Sequence, residues 1–185
     1  MSFVVIETSF GCIREYRDSD AASLVKYANN RKIWLNMRDR FPHPYRDEDA
    51  FAFLKLVKAQ QPTTFFAIAN DAEVIGGIGI MINQDVHRLT AELGYWLGEP
   101  FWGKGFVTES VQKFSDYAFD KYGLIRIYAE AYADNKASAR VLEKAGFVFE
   151  GTMKANVIKD GRILDQRLYA KVRQLPAKQQ EQTDC

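Results

Sequence analysis

Two glycines set between a strand-like run and a helix-like run constrain this chain more than any other feature. The stretch Trp102-Gly103-Lys104-Gly105-Phe106-Val107-Thr108-Glu109 follows Leu93-Gly94-Tyr95-Trp96-Leu97 and opens an amphipathic run that continues to about Tyr122. Glycine lets a backbone turn tightly and approach a ligand without a Cβ in the way. The first amides of a helix have no intrahelical acceptors, and the helix dipole adds partial positive charge at that end. A short loop of this kind is an anion cradle, suited to a phosphate or pyrophosphate.

The surrounding pattern supplies the sheet that such a loop needs. Gly11 to Tyr16 reads as a strand, and Asp18 is placed to cap a helix over Ser19 to Ala28. Asn29 to Tyr45 carries Pro42 and Pro44 and predicts an irregular segment with one short helix near Ile33-Trp34. Asp47-Glu48-Asp49 begins a second helix, with Phe51, Leu54 and Val57 as its buried stripe. Thr64 to Ala69 and Glu73 to Ile82 form a hairpin about Asn70-Asp71, and Gly76, Gly77 and Gly79 mark either a bulge or close packing. Leu89 to Leu97 and Leu124 to Ala131 are strands flanking the loop and its helix. Asn135 caps a last helix that ends at Gly146, and Phe147 to Val157 and Ile163 to Val172 make a terminal hairpin about Asp160-Gly161. This order predicts an α/β fold of α+β mixed type, a mixed sheet with helices on both faces and a ligand loop just past a strand's C-terminal end. Residues 1–173 are expected to form a single domain, followed by a polar tail at 174–185.

Charge and cysteine content exclude several function classes. With formal net charge +1, the chain has no long-range drive toward nucleic acid or an anionic membrane. No uninterrupted apolar run approaches the roughly 20 residues of a membrane span. The N-terminus lacks a basic region and is interrupted by Glu7, so it does not read as a signal peptide. Cys12 and Cys185 make no disulfide framework, and a cytoplasmic location is the simpler expectation. His43 and His87 stand alone, so no metal site is expected. A P-loop would need a Gly-Lys-Ser/Thr ending that is missing here.

Several separated segments resemble one family, the GNAT superfamily of N-acetyltransferases, and within it the group that acetylates ribosomal-protein N-termini. They are Phe41-Pro42-His43-Pro44-Tyr45 followed by Glu48-Asp49-Ala50, then Glu92 to Leu97, Trp102 to Gly105, Leu124 to Ile127, and Asn135 to Ser138 through Leu142 to Phe147. They cover about residues 7 to 172 in the family's order. The resemblance implies a mostly antiparallel, seven-stranded GNAT-like sheet, acetyl-CoA as donor and a primary amine as acceptor. The family's loop pattern is Arg or Gln, two residues, Gly, one residue, Gly or Ala; Trp102, Gly105 and Val107 stand at those three places. The cofactor-binding set it implies is Trp96, Leu97, Trp102, Gly103, Lys104, Gly105, Phe106, Val107, Thr108, Asn135 and Ser138. The strand ending at Leu97 is expected to part from its neighbour after Gly103, freeing backbone of Trp96 and Leu97 for the pantetheine arm. Glu109 is expected to turn its side chain outward.

Acetyl transfer needs an anchored thioester, a neutral amine in line with its carbonyl, and donors for the oxyanion. Glu92 shares a strand face with Gly94 and Trp96 and is the candidate base, with a structural ion pair as the alternative. Many relatives carry a Tyr where this chain has Leu142, so Ser138 is the substitute acid; cofactor contact or helix-end satisfaction are its other roles. Asn135 suits a cap and CoA contact, and Lys104 either a phosphate contact or a solvated loop position. Trp34, Arg38, Phe41 and Tyr45 border the acceptor site in the family, although Trp34 and Phe41 also suit core plugs. The acceptor is a protein N-terminus by resemblance, with an amino acid, a polyamine or an antibiotic amine as alternatives. A non-catalytic acyl-CoA-binding module is the rival from another class. Monomer and homodimer both remain open.

Overall fold

The computed structural model describes residues 5–174, so the tail from 175 and Cys185 lie outside the described residues. Its strands are β1 (Val5–Thr8), β2 (Gly11–Arg14), β3 (Phe65–Ala69), β4 (Val74–Ile82), β5 (Thr90–Leu97), β6 (Arg126–Tyr132), β7 (Val148–Lys159) and β8 (Arg162–Val172). The helices are α1 (Ala21–Ala28), α2 (Arg31–Trp34), α3 (Asp47–Ala59), α4 (Phe106–Tyr122) and α5 (Lys136–Lys144). One sheet joins all eight strands in the order β1-β2-β3-β4-β5-β6-β8-β7. Every pair is antiparallel except β5 with β6.

The sheet therefore has eight strands where the sequence pattern predicts seven. The extra one is β1, a four-residue edge strand that pairs with β2 from Val5↔Arg14 to Thr8↔Gly11. So short a strand has no periodicity of its own; its partner defines it. Two helix details also differ from expectation. Asp18 does not cap α1: Asp18–Asp20 form a single tight turn, and the Asp20 carboxylate takes the Arg17 amide at 2.8 Å and both Arg14 guanidinium nitrogens at 2.9 Å. On α3 the buried stripe is Ala50, Leu54 and Val57, while Phe51 is 60 % exposed. A spacing of three throughout drifts off a 3.6-residue period, and Ala50 restores the i, i+4, i+7 face.

Alternation along the strands divides the core into two layers. Phe66 and Ile68 point to one face with Ile78, Ile80, Leu93, Val111, Phe114 and Leu142, against which α4 and α5 pack. Ala67 and Ala69 point to the other with Leu24, Ala28, Ala50, Leu54 and Val57, the layer of α1 and α3. The glycines of β4 mark close packing. A Cβ at Gly77 would lie 2.5 Å from the Tyr16 hydroxyl and 2.7 Å from Trp96 Nε1, so its absence lets both side chains pack close over β4. A bulge is present as well: Ile68 pairs with Gly76 and Ala69 with Val74, which leaves Ile75 of β4 as the extra residue beside Gly76.

Candidate functional site

β5 leaves the sheet through a single turn at Glu99–Phe101 and enters the glycine loop. Gly103 (φ +74°) and Gly105 (φ +84°) both take the left-handed conformation, and a Cβ on either would meet no protein atom within 4 Å. The space beside both α-carbons is therefore open. Gly105 is the N-cap of α4 and offers no capping side chain. The helix's first backbone bond runs from the Glu109 amide to the Gly105 carbonyl at 3.1 Å, so the amides of Phe106, Val107 and Thr108 have no intrahelical acceptor. Phe106 and Val107 pack their side chains against the core, turning the loop's backbone outward. Unpaired amides, a 17-residue helix and two left-handed glycines fit a diphosphate. Lys104 is exposed, its ammonium 5.6 Å from the centre of the Phe101 ring.

Glu109 turns back toward the sheet rather than outward. Its carboxylate accepts from the Ser9 amide at 2.8 Å and the Ser9 hydroxyl at 2.5 Å, and it pairs with Lys113 at 3.1 Å. Partial burial pushes its pKa up, but the two Ser9 bonds and Lys113 together outweigh this and hold it below the usual carboxylate range. Phe10 stacks on Phe106 at 4.1 Å. The turn between β1 and β2, which the sequence pattern did not predict, thus fixes the first turn of α4.

The open edge of β5 begins earlier than expected. β5 and β6 pair only over Thr90–Glu92 with Arg126–Tyr128, while β5 stays paired to β4 as far as Leu97. The strands part beyond Glu92, not after Gly103. Within the gap the Leu97 carbonyl already accepts from the Trp102 indole at 2.7 Å, and Leu97 itself is buried.

Period-two alternation sends neighbouring residues of β5 to opposite faces. On the α4–α5 face, Tyr95 places its hydroxyl 2.8 Å from Ser138 Oγ. The Ser138 amide donates to Asn135 Oδ1 at 3.0 Å, so Asn135 is a true cap of α5. Burial pushes the Tyr95 phenol up, which keeps it protonated. Leu142 is fully buried in the core. Tyr95 was not singled out from the sequence; its strand parity against the start of α5 was the available signal.

On the other face the Arg38 guanidinium bonds Glu92 Oε1 and lies 3.5 Å from Glu130 Oε2. The two carboxylate side chains are 15 % and 21 % exposed, against 46 % for Arg38. Burial, with the nearby charge of Glu92, pushes Glu130 up against the opposing pull of Arg38. A cavity of about 330 Å³ opens beside them, lined by Arg38, Asp39, Glu130, Tyr132, Val157 and Ile158. Glu130 is a second carboxylate on this cavity that the sequence pattern did not single out.

The four acceptor-side candidates do not all reach this cavity. Phe41 packs edge-on against Trp96 at 5.9 Å and against Tyr45 at 5.3 Å. Tyr45 is buried in the α1–α3 layer, which raises its phenol to about 12. The Trp34 ring lies beneath the Lys159 ammonium at 3.8 Å and beside His43 at 5.6 Å. Arg38 alone of the four lines the cavity.

The chain is 40 % identical over 99 residues to the uncharacterized N-acetyltransferase p20 of Bacillus licheniformis, covering 53 % of this chain and 54 % of that one. It thus spans about half the length of that relative. It is 28 % identical over 174 residues to the uncharacterized N-acetyltransferase YoaA of Bacillus subtilis, covering 92 % and 98 % of the two chains. Among solved structures, RimL, a ribosomal L7/L12 alpha-N-protein acetyltransferase in complex with coenzyme A, superposes with TM-score 0.80 at 22 % identity, covering 91 % of this chain and 98 % of that one. The acetyltransferase (GNAT) domain matches residues 12–148. This chain belongs to the GNAT acetyltransferase family, whose acyl donor is acetyl-CoA.

Proposed function

We infer that this chain transfers the acetyl group of acetyl-CoA directly to a primary amine, and that the amine is the α-amine of a protein N-terminus. One observation carries the reading: the strand that ends in the glycine loop also presents Glu92 at the point where β5 and β6 part. Acetyl-CoA, when bound, supplies the activated acyl carbon. The amides of Phe106, Val107 and Thr108, with Lys104 beside them, would hold its diphosphate. Glu92 takes a proton from the acceptor ammonium, leaving the amine lone pair free to attack. Ser138, backed by the Tyr95 hydroxyl, donates to the departing thiolate from the opposite face of β5. No covalent enzyme intermediate is needed.

The protein acceptor is supported by the resemblance of the Phe41-Pro42-His43-Pro44-Tyr45 segment to the ribosomal-protein group and by the RimL-like fold. The test is CoA release with short peptides begun by Ala, Ser or Met, beside spermidine, free amino acids and an aminoglycoside. Acetylation of peptide α-amines, located by mass spectrometry and lost on blocking the N-terminus, is the expected result. Turnover confined to the small amines would move the acceptor class. CoA release with none of them would favour a non-catalytic acyl-CoA-binding module.

A further inference from the structure

Arg38 stands between the two carboxylates that face the acceptor side. Its guanidinium bonds Glu92 of β5 and approaches Glu130 of β6 to 3.5 Å. The residues on either side of it are tethered, Met37 through its backbone and Asp39 through its side chain. The Met37 carbonyl accepts from the Tyr132 hydroxyl at 3.3 Å, and Asp39 pairs at 2.7 Å with Lys159, whose side chain is 2 % exposed. The Arg38 side chain is itself nearly half exposed, and the cavity of about 330 Å³ lies against it. Its release is therefore a rotamer change into open space that leaves the loop in place.

Arginine keeps its charge at every working pH, so this cation cannot leave by losing a proton. It leaves only when another cation takes its bonds, and a protonated primary amine is a compact cation with three donors. We propose that Arg38 is the resident occupant of the acceptor site: its guanidinium fills, between Glu92 and Glu130, the place that the acceptor's ammonium takes, and the two exchange competitively. Glu130 then acts with Glu92 as the second carboxylate of that place. This rests on the reading that the acceptor amine meets Glu92. Exchange also links binding to chemistry. Once the guanidinium has left, the ammonium stands against Glu92, the carboxylate that takes its proton.

The exchange separates Arg38 from an ordinary substrate-binding arginine, because its removal strengthens amine binding. The variants are Arg38→Ala and Arg38→Lys, and the probe is propylammonium chloride, with potassium chloride as the ionic-strength control. The full chain, carrying ¹³C in its Glu carboxyls, is titrated with the probe by NMR. Relieving a half-exposed ion pair shifts the midpoint of the Glu92 and Glu130 response by about three- to fivefold to lower probe concentration in Arg38→Ala. Arg38→Lys keeps a resident cation and stays near wild type. A midpoint in Arg38→Ala that is unchanged or higher overturns the proposal, as does a matching gain in Arg38→Lys. The carboxyl pH titration is read in the same samples. Glu130 faces Glu92, Arg38 and, from β8, Gln166, with Asp39 and Tyr132 on the same cavity. Removing the Arg38 guanidinium, which pulls Glu130 down, raises the Glu130 pKa; no rise also overturns the proposal. The titration needs no turnover, so a chain that acetylates no amine would defeat the proposed activity and still decide the role of Arg38.

Discussion

Replacing Gly105 by Asp separates the loop's structural role from its ligand role, because its effects on folding nearly cancel and its effects on binding do not. At φ +84° an L residue carries about 1–2 kcal/mol of backbone strain, least for Asn and Asp. An Asp at the N-cap recovers about 1 kcal/mol by accepting an orphan amide and by facing the helix dipole. The new Cβ meets no protein atom within 4 Å, so no clash adds to the sum. Folding stability should therefore change by less than about 1 kcal/mol. Binding has no such compensation. The new carboxylate occupies amides of Phe106, Val107 or Thr108 and sets a negative charge against the diphosphate. Losing two charge-assisted bonds at about 1.5–3 kcal/mol each costs roughly two to four decades in Kd. Calorimetric titration with acetyl-CoA and a thermal melt of the same preparation measure both quantities. Gly105→Ala, which has the strain without the charge, isolates the electrostatic part. Unchanged acetyl-CoA affinity in the Asp variant would refute the assignment of this loop to the diphosphate.

Three further outcomes follow from the same geometry. Glu92→Gln should lower turnover by about 10²–10⁴ across the pH range while acetyl-CoA affinity holds; wild-type rates would remove Glu92 as the base. Tyr95→Phe and Ser138→Ala should be non-additive in kcat, because each removes the other's 2.8 Å partner; strict additivity would mean that the pair does not act as a unit. Glu109→Gln should cost about 1–2 kcal/mol at neutral pH through its bonds to Ser9 and should weaken acetyl-CoA binding. The native state lowers the Glu109 pKa, so this contribution is full above the unfolded value of about 4.3 and is lost as pH falls through the folded value. Wild-type and variant melting curves should converge in acid, and a gap that widens there would contradict the assignment.

The fold was legible wherever a local rule decides the structure. Period-two alternation over Leu124 to Ala131, observed as Arg126–Tyr132, the Asn135 cap and the Asp160-Gly161 turn each depend on neighbours within a few positions, and each is found at or within two residues of the expected place. β1 was not legible because an edge strand of four residues is selected by its partner. The same holds for Glu109. Read locally, it is one more acid in a helix's first turn; the serine that engages it lies 100 positions earlier, across a turn of its own.

The site divides along the same line. The proposed diphosphate cradle is a local object, a strand end, two glycines and the first turn of a helix, and all of it lies within one stretch of sequence. The proposed acceptor side is assembled from α2's following loop, β5, β6 and the β7–β8 hairpin, whose members Arg38, Glu92, Glu130 and Lys159 are far apart in the chain. Parity could place Glu92 on a face, but nothing local gives it a guanidinium partner or a second carboxylate. A donor-binding half written contiguously is compatible with many acceptors. A half assembled from four elements can change its acceptor through one residue in any of them without disturbing the glycine loop. Acceptor specificity in this chain should therefore track substitutions around Arg38, Asp39 and Lys159, and acetyl-CoA affinity should not.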